Sequence, residues 1–237
     1  MKKCVINFAR NGWYPAGQRR LDASLRNVGF DGDVLIWSEE QQIGAPGHGV
    51  SPYAFKPFAL REAARRGYDL VIWADASVWA IRNIEPMFGH LERNGWMLFF
   101  NCQAGSWTSD ACLASFGVTR DQAMEIPMLM GICMGWNLKW PQCQAFLSSW
   151  LEKASDGVTF PGSWTNRQQE VSTDPRVLGH RHDQSAASLI AWRLNMDLIA
   201  PDETYFQYYE NSRRVSFQSD PDLGLMKPHT VMVAQGM

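Results

Sequence analysis

The sequence predicts an α/β domain, a mixed and mostly parallel sheet flanked by helices, and three observations predict it. Short apolar strands alternate with amphipathic helices across the first two thirds of the chain, the pattern that builds a parallel sheet with helices on both faces. One run, residues 69–74 (DLVIWA), is apolar without alternation after its first residue, as a central strand covered on both sides must be. The 237 residues, 46% apolar and 19% charged, supply one sizeable core, so a single domain over 1–237 is expected.

The elements follow in order. Residues 3–9 (KCVINFA) read as a first strand. A helix over 18–28 carries Leu21, Leu25 and Val28 on one stripe and stops at Gly29. Residues 33–38 (DVLIWS) form a second strand, and 43–51 a Gly/Pro-containing loop. Pro57 opens a helix with Leu60, Ala63 and Ala64 inward and Arg61, Glu62, Arg65 and Arg66 outward, and Gly67 closes it. After the 69–74 strand comes a turn, Asp75-Ala76-Ser77, then a helix from Pro86 to Gly95 and a strand over 96–100 (WMLFF). Residues 128–136 (MLMGICMGW) read as a strand interrupted by glycine. Pro141 starts a helix with Cys143, Phe146, Leu147, Trp150, Leu151 and Ala154 on its apolar stripe. The polar stretch 156–180 has neither period and is expected to be a binding loop; 156–181 is the candidate lid. A helix over 184–195 and a short strand over 197–200 follow. The chain has no internal repeat and no low-complexity tract.

Composition narrows the function. A formal net charge of −2 gives no global attraction to nucleic acid or to an anionic membrane. The five cysteines lack CxxC spacing, which argues against a disulfide framework and a structural zinc site and fits a reducing compartment. No signal peptide and no apolar run of membrane-spanning length is visible, so a cytoplasmic protein is expected. Eleven tryptophans fill cores for the most part, yet also offer flat platforms for sugar rings.

The chemistry concentrates between Tyr53 and Pro86. An apolar strand ends in Asp75, and in open α/β sheets ligands sit outside the carboxyl ends of strands. A carboxylate there can bind a divalent cation that neutralises a diphosphate, or can simply cap the following turn. Upstream stands Tyr53-Ala54-Phe55-Lys56-Pro57. Downstream come Gly131-Ile132-Cys133-Met134-Gly135-Trp136-Asn137, then His180-Arg181-His182-Asp183-Gln184-Ser185 opening a helix, and a late Lys227-Pro228-His229.

In this order and spacing the chain resembles the GT-A glycosyltransferases, which carry a Rossmann-like nucleotide-binding fold and a DxD-type motif at the end of an apolar strand. Here the motif is DxS, Asp75-Ala76-Ser77, without the second carboxylate. The resemblance implies transfer of a sugar from a nucleotide-sugar donor to an acceptor hydroxyl on a glycan or similar molecule. It places the donor in about residues 1–105, with Ala9, Arg10, Lys56, Asp75 and Ser77 as contacts, and the acceptor in about 106–237, with Gly135, Trp164, Arg181 and His182. It implies Asp183 as the catalytic carboxylate and a divalent cation, Mn²⁺ or Mg²⁺, held by Asp75 and His229. Histidine is a suitable replacement for a lost carboxylate at manganese.

Two other readings remain open at this point. One is a bacteriophage-type DNA glycosyltransferase acting on hydroxymethylated bases, with Arg61, Arg65, Arg66, Arg181, Arg213 and Arg214 tracking phosphates and Trp107 and Trp164 holding a displaced base. The other is a non-catalytic carbohydrate-binding module. A haloacid-dehalogenase-type phosphatase is excluded, because it needs a second aspartate where Ser77 stands.

Overall fold

A computed structural model of the chain describes residues 1–200, 205–209 and 227–235. The first strand, β1 (Lys3–Phe8), leads into α1 (Tyr14–Asn27), β2 (Asp33–Trp37), α2 (Phe55–Arg65) and β3 (Leu70–Ala74). The short β4 (Val78–Ala80), α3 (Glu85–Asn94) and β5 (Trp96–Gln103) follow, then two short helices, α4 (Asp110–Phe116) and α5 (Arg120–Glu125). The long β6 (Pro127–Asn137), α6 (Pro141–Ser155), α7 (His182–Arg193), β7 (Phe206–Tyr209) and β8 (Met232–Gln235) complete the described strands and α-helices.

The main sheet has the order β2-β1-β3-β6-β5. β1 pairs in parallel with both β2 and β3, while β6 runs antiparallel to β3 and to β5. Four of the five strands therefore point the same way, as the βαβ pattern predicts, with β6 inserted against them. The expected strand over 197–200 is reduced to one bridge, Ile199 against Phe99. A second sheet, β4-β8-β7, lies outside the sequence reading. So do α4 and α5, whose N-caps Ser109 and Thr119 accept backbone N–H bonds from Cys112 and Gln122. Helix α1 begins four residues earlier than the expected start at residue 18, because Pro15 in its first turn is already shaped for the helix.

Strand alternation sends the sheet's side chains into two cores. Cys4, Ile6 and Phe8 of β1, with Val71 and Trp73 of β3, pack against residues of α2, α6 and α7. Val5, Leu70, Ile72 and Ala74 pack against α1 and α3. The same parity carries Asp75, two residues beyond Trp73, to the α2 side. Asn7 ties the central strands together at their carboxyl ends: its Nδ2 donates to the Ala74 carbonyl at 2.6 Å, and its Oδ1 accepts from Gln18 Nε2 at 2.8 Å. Helix α1 comes so close to the Asp75 turn that a Cβ on Gly17 would overlap the Ala76 carbonyl oxygen.

The β5–β6 pair is irregular where it matters. β5 advances from Leu98 to Phe100 while β6 passes from Met134 to Leu129. The extra residues of β6 bulge beside the end of β3, where the Ile132 carbonyl accepts the Asp75 N–H at 2.8 Å. Bulges re-aim side chains and are frequent beside active sites.

The 156–181 stretch is built rather than loose. Phe160, Thr159 and His180 are fully buried. Asn166 bonds backbone groups of four residues, Val171, Ser172 and Val177 through its side chain and Leu178 through its own N–H.

Candidate active site

Lysine is costly to bury unless paired, yet Lys56 in the first turn of α2 is only 5% exposed. Its Nζ donates to the Gly131 carbonyl at 2.7 Å and stands 3.0 Å from Asp183 Oδ2 and 3.5 Å from Asp75 Oδ1. Three residues separated by 19 and then 108 positions of chain therefore meet at the carboxyl end of β3. Asp75 reaches the junction by strand parity, and its Oδ1 also accepts from the Trp73 indole N–H at 2.7 Å. Asp183 arrives in the first turn of α7, and the Trp150 indole donates to its backbone carbonyl at 3.2 Å. Gly131 admits α7: a Cβ there would lie 3.3 Å from the Gln184 Cβ and 3.5 Å from Asp183 Oδ2.

Two carboxylates sharing one ammonium set the electrostatics. Burial alone would push the Lys56 ammonium down, but Asp183 and then Asp75 outweigh it and hold the lysine charged, above the usual lysine range. Burial pushes both carboxyls above the ordinary aspartate range, with Lys56 opposing the shift in each case. Asp183 Oδ2 is buried, lies 3.0 Å from the ammonium and meets no other donor among the described residues. Asp75 keeps a side chain 26% exposed, so one hard oxygen can face a ligand.

An aromatic wall stands beside this junction. Tyr53 and His182 stack with ring centroids 5.4 Å apart, and both hold left-handed backbone angles, φ 62° and 45°. Such conformations cost about 1–3 kcal/mol for a non-glycine residue and cluster at ligand sites. Trp164, 49% exposed, adjoins both rings at 6.0 and 5.7 Å. The Arg181 guanidinium lies between the Trp107 and Trp164 rings, 3.7 and 3.8 Å from their centroids, and donates to the Trp164 carbonyl. His182 places Nδ1 2.9 Å from the Phe160 carbonyl, and burial lowers its pKa.

Lys56, Asp75, Asp183, His182, Arg181 and Trp164 are thus brought into one region, in new roles for two of them. Lys56 is an internal bridge between carboxylates rather than an open phosphate contact, because its ammonium is buried and already engaged. Arg181 is held by two tryptophans and shapes the wall. Ala9 is buried at the end of β1, with its N–H on the Trp37 carbonyl. Arg10 pairs with the buried Glu40 at 2.6 Å. Ser77 ends the turn with its carbonyl accepting from Arg20 Nη2 at 3.1 Å.

Two expectations are corrected. Gly135 does not border the site: it faces the other core, where a Cβ would lie 3.0 Å from Leu91 and 3.2 Å from Met97. Beyond the bulge the alternation of β6 is reversed, and Gly131 takes the place expected of Gly135. His229 is exposed in the turn before β8. That turn is fastened to Arg82 through the Thr230 and Lys227 carbonyls, while β8 runs from Met232 opposite Ala80 to Ala234 opposite Val78. The described residues therefore put His229 at the end of β4 remote from Asp75.

The donor set can be tested against a divalent cation. Among the described residues no group of three histidine, cysteine or acidic side chains converges as a cage. Among the described residues of the junction Asp75 alone offers an outward carboxylate oxygen, which fits a cation carried mainly by the phosphates of a bound nucleotide. The arginines considered for nucleic acid are committed elsewhere: Arg65 and Arg66 pair with Glu62, and Arg61 donates to the Ile43 carbonyl. Arg213 and Arg214 lie outside the described residues.

The chain has the GT-A fold, which solved structures of glycosyltransferases share. Mouse xyloside xylosyltransferase 1, in its apo form, superposes with a TM-score of 0.53 at 12% identity, over 99% of this chain and 97% of that one. The WbbM bifunctional glycosyltransferase gives 0.53 at 9% identity, over 98% of this chain but 45% of that one. No protein-family model and no curated protein matches the sequence. Among the described residues no helix is long and apolar enough to cross a membrane.

Proposed function

We propose that the chain is a glycosyltransferase that takes a sugar from a nucleotide-sugar donor and passes it to a hydroxyl of a glycan or similar acceptor. The observation that carries this reading is the meeting of Asp75, Lys56 and Asp183 at the carboxyl end of β3, where open α/β sheets bind ligands. In it the donor diphosphate lies over Asp75 and the Asp75–Ser77 turn, and the donated sugar lies between Asp75 and Asp183. A divalent cation bound with the diphosphate would be held by Asp75 and would neutralise the departing nucleoside diphosphate.

Asp183 accepts the proton of the attacking hydroxyl. Burial raises its proton affinity toward that task, while Lys56 keeps it ionised beforehand and fixes its direction. The Tyr53–His182–Trp164 wall orients the acceptor and excludes water from the reacting carbon. The first 105 residues supply the donor contacts in this scheme, and the remainder the acceptor contacts.

A thermal-shift panel of nucleoside diphosphates and their sugars, with and without Mn²⁺, tests the donor site. At least one nucleotide should raise the midpoint, more strongly with Mn²⁺, while Mn²⁺ alone should do little because Asp75 is its single outward ligand. Asp75→Ala should retain the fold and lose both the shift and sugar transfer. Unimpaired transfer by that variant would remove the proposed donor site.

A further inference from the structure

A second concave surface lies at the far end of α7. Two clefts of about 400 and 270 Å³ flank the Trp192 indole. Gly117, Val118, Gln122 and Arg193 line the first, and Pro127, Ser188 and Asp197 are among those lining the second. Trp192 and Asn195 belong to both, so the clefts are two halves of one groove straddled by an indole that is 43% exposed.

The groove is distinct from the transfer site. Helix α7 runs along the part of β6 that projects past β3: Gly131 lies against Asp183 and Gln184, the Leu129 N–H donates to Ser188 Oγ, and Pro127 shares a cleft with Trp192. Trp192 follows Asp183 by nine residues, about 14 Å along the helix axis and about half a turn round it.

We propose that this groove is a carbohydrate subsite that binds an outlying sugar of an oligosaccharide, with a pyranose ring stacked on Trp192. The chemistry of the lining selects that occupant. An indole face takes the apolar C–H face of a sugar ring. Around it stand the amides of Gln122 and Asn195 and the carboxylate of Asp197, a mixture of donors and acceptors suited to hydroxyl groups. Asn195, one residue past the C-cap of α7, has a left-handed backbone, φ 52°, at the junction of the two clefts. Gln122 uses its carbonyl oxygen on the Thr119 N–H, so its amino group remains for a ligand.

The other occupants fit less well. One guanidinium, from Arg193, and one carboxylate, from Asp197, leave the groove without net charge, which gives a phosphate or a nucleic acid no electrostatic hold. The Arg193 guanidinium is in any case fastened to the Phe116 carbonyl. A protein interface centres on a contiguous apolar patch, whereas here the apolar side chains of Pro127, Ala191, Met196 and Leu198 gather in the second cleft and Trp192 separates them from a mainly polar first cleft. The inference rests on the glycosyl-transfer reading only in expecting the glycan to be an acceptor.

The test is binding without donor. Xylotetraose, maltotetraose and chitotetraose are titrated to millimolar concentrations against ¹⁵N-labelled protein, following the Trp192 indole N–H resonance assigned through Trp192→Phe. At least one should move that resonance saturably. Trp192→Ala should weaken its binding roughly tenfold or more, Asn195→Ala by less, and neither should alter nucleotide-induced stabilisation. A resonance indifferent to all three sugars overturns the proposal, as does a wild-type dimer that Trp192→Ala converts to monomer, since the groove would then be an interface. Absence of sugar binding by the wild-type protein, with nucleotide stabilisation present, would sink the subsite alone. Sugar binding without any nucleotide response would sink the transferase reading alone.

Discussion

Two buried polar clusters lie within one chain of contacts, and they are built on opposite principles. Around His180 every polar group is satisfied: the ring accepts from the Ser109 N–H at Nδ1 and meets the Thr159 carbonyl at Nε2, and it carries no charge. Around Lys56 the groups are ionic, two acids share one base, and the buried Asp183 Oδ2 meets no donor but that ammonium among the described residues. A closed neutral network makes scaffold, because nothing remains for a ligand to do. An ionic cluster left short of donors is costly by itself and is expected where a substrate completes it. The two clusters are joined through α7, since His180 and His182 stand 5.1 Å apart and Asp183 comes next.

The sharpest way to break the comparison is to remove the shared cation. Lys56→Met leaves the buried Asp183 carboxyl facing the half-buried one of Asp75, and removing one partner of a buried ion pair costs about 3–5 kcal/mol. Transfer should fall below detection, because neither acid keeps its position. Adding Asp183→Asn should return part of the lost stability without returning activity, which a urea-denaturation double-mutant cycle would register. If the double variant were no more stable than Lys56→Met, the lysine and Asp183 would be uncoupled and the junction would be a packing accident.

The scaffold cluster answers to pH instead. Burial chiefly, and then the neighbouring His182, push the His180 pKa down to about 3. An unfolded chain protonates the same ring near 6.5, so between these values the unfolded state holds the extra proton. The stabilisation is complete above about pH 6.5 and is lost as the pH falls, at up to about 1.4 kcal/mol per pH unit. His180→Asn should lower stability at neutral pH by about 1–3 kcal/mol through lost hydrogen bonds and flatten the acid limb of the stability curve. Parallel acid limbs for wild type and variant would mean that some other group, His182 first, sets the acid sensitivity.

The same contrast explains what could be read in advance. Asp75, Lys56 and Asp183 were legible because each sits at an element boundary that local chemistry marks: an acid ending an apolar strand, a lysine before a helix-opening proline, an acid in a first helical turn. Strand parity then carries Asp75 to the lysine. The partners that complete the junction were not legible. Gly131 rather than Gly135 meets Lys56 because the β5–β6 register slips, and that slip depends on pairing between strands far apart in sequence. The antiparallel course of β6 and the small β4-β8-β7 sheet are likewise long-range choices with no local sign. The unpatterned 156–181 loop gave no hint that Asn166 and His180 organise it, since both act on backbone groups that any sequence supplies.

Trp164 lies between the two clusters and should show the smallest effect of the three. One of its faces rests on Arg181 and its edge meets Tyr53 and His182, but half of the side chain is in solvent. Trp164→Ala therefore removes little buried area, and its cost in stability should stay within about 1 kcal/mol, near that of an ordinary surface substitution. Its effect on function should be selective. The wall contacts the acceptor in the proposed scheme, whereas the donor is held at the Asp75 turn. The acceptor KM should rise roughly tenfold, about what one aromatic stacking contact provides, while nucleotide-induced stabilisation and donor hydrolysis stay at wild-type levels. A rise in donor KM of the same size would move Trp164 from the acceptor side to the donor side and shift the boundary between the two halves of the site.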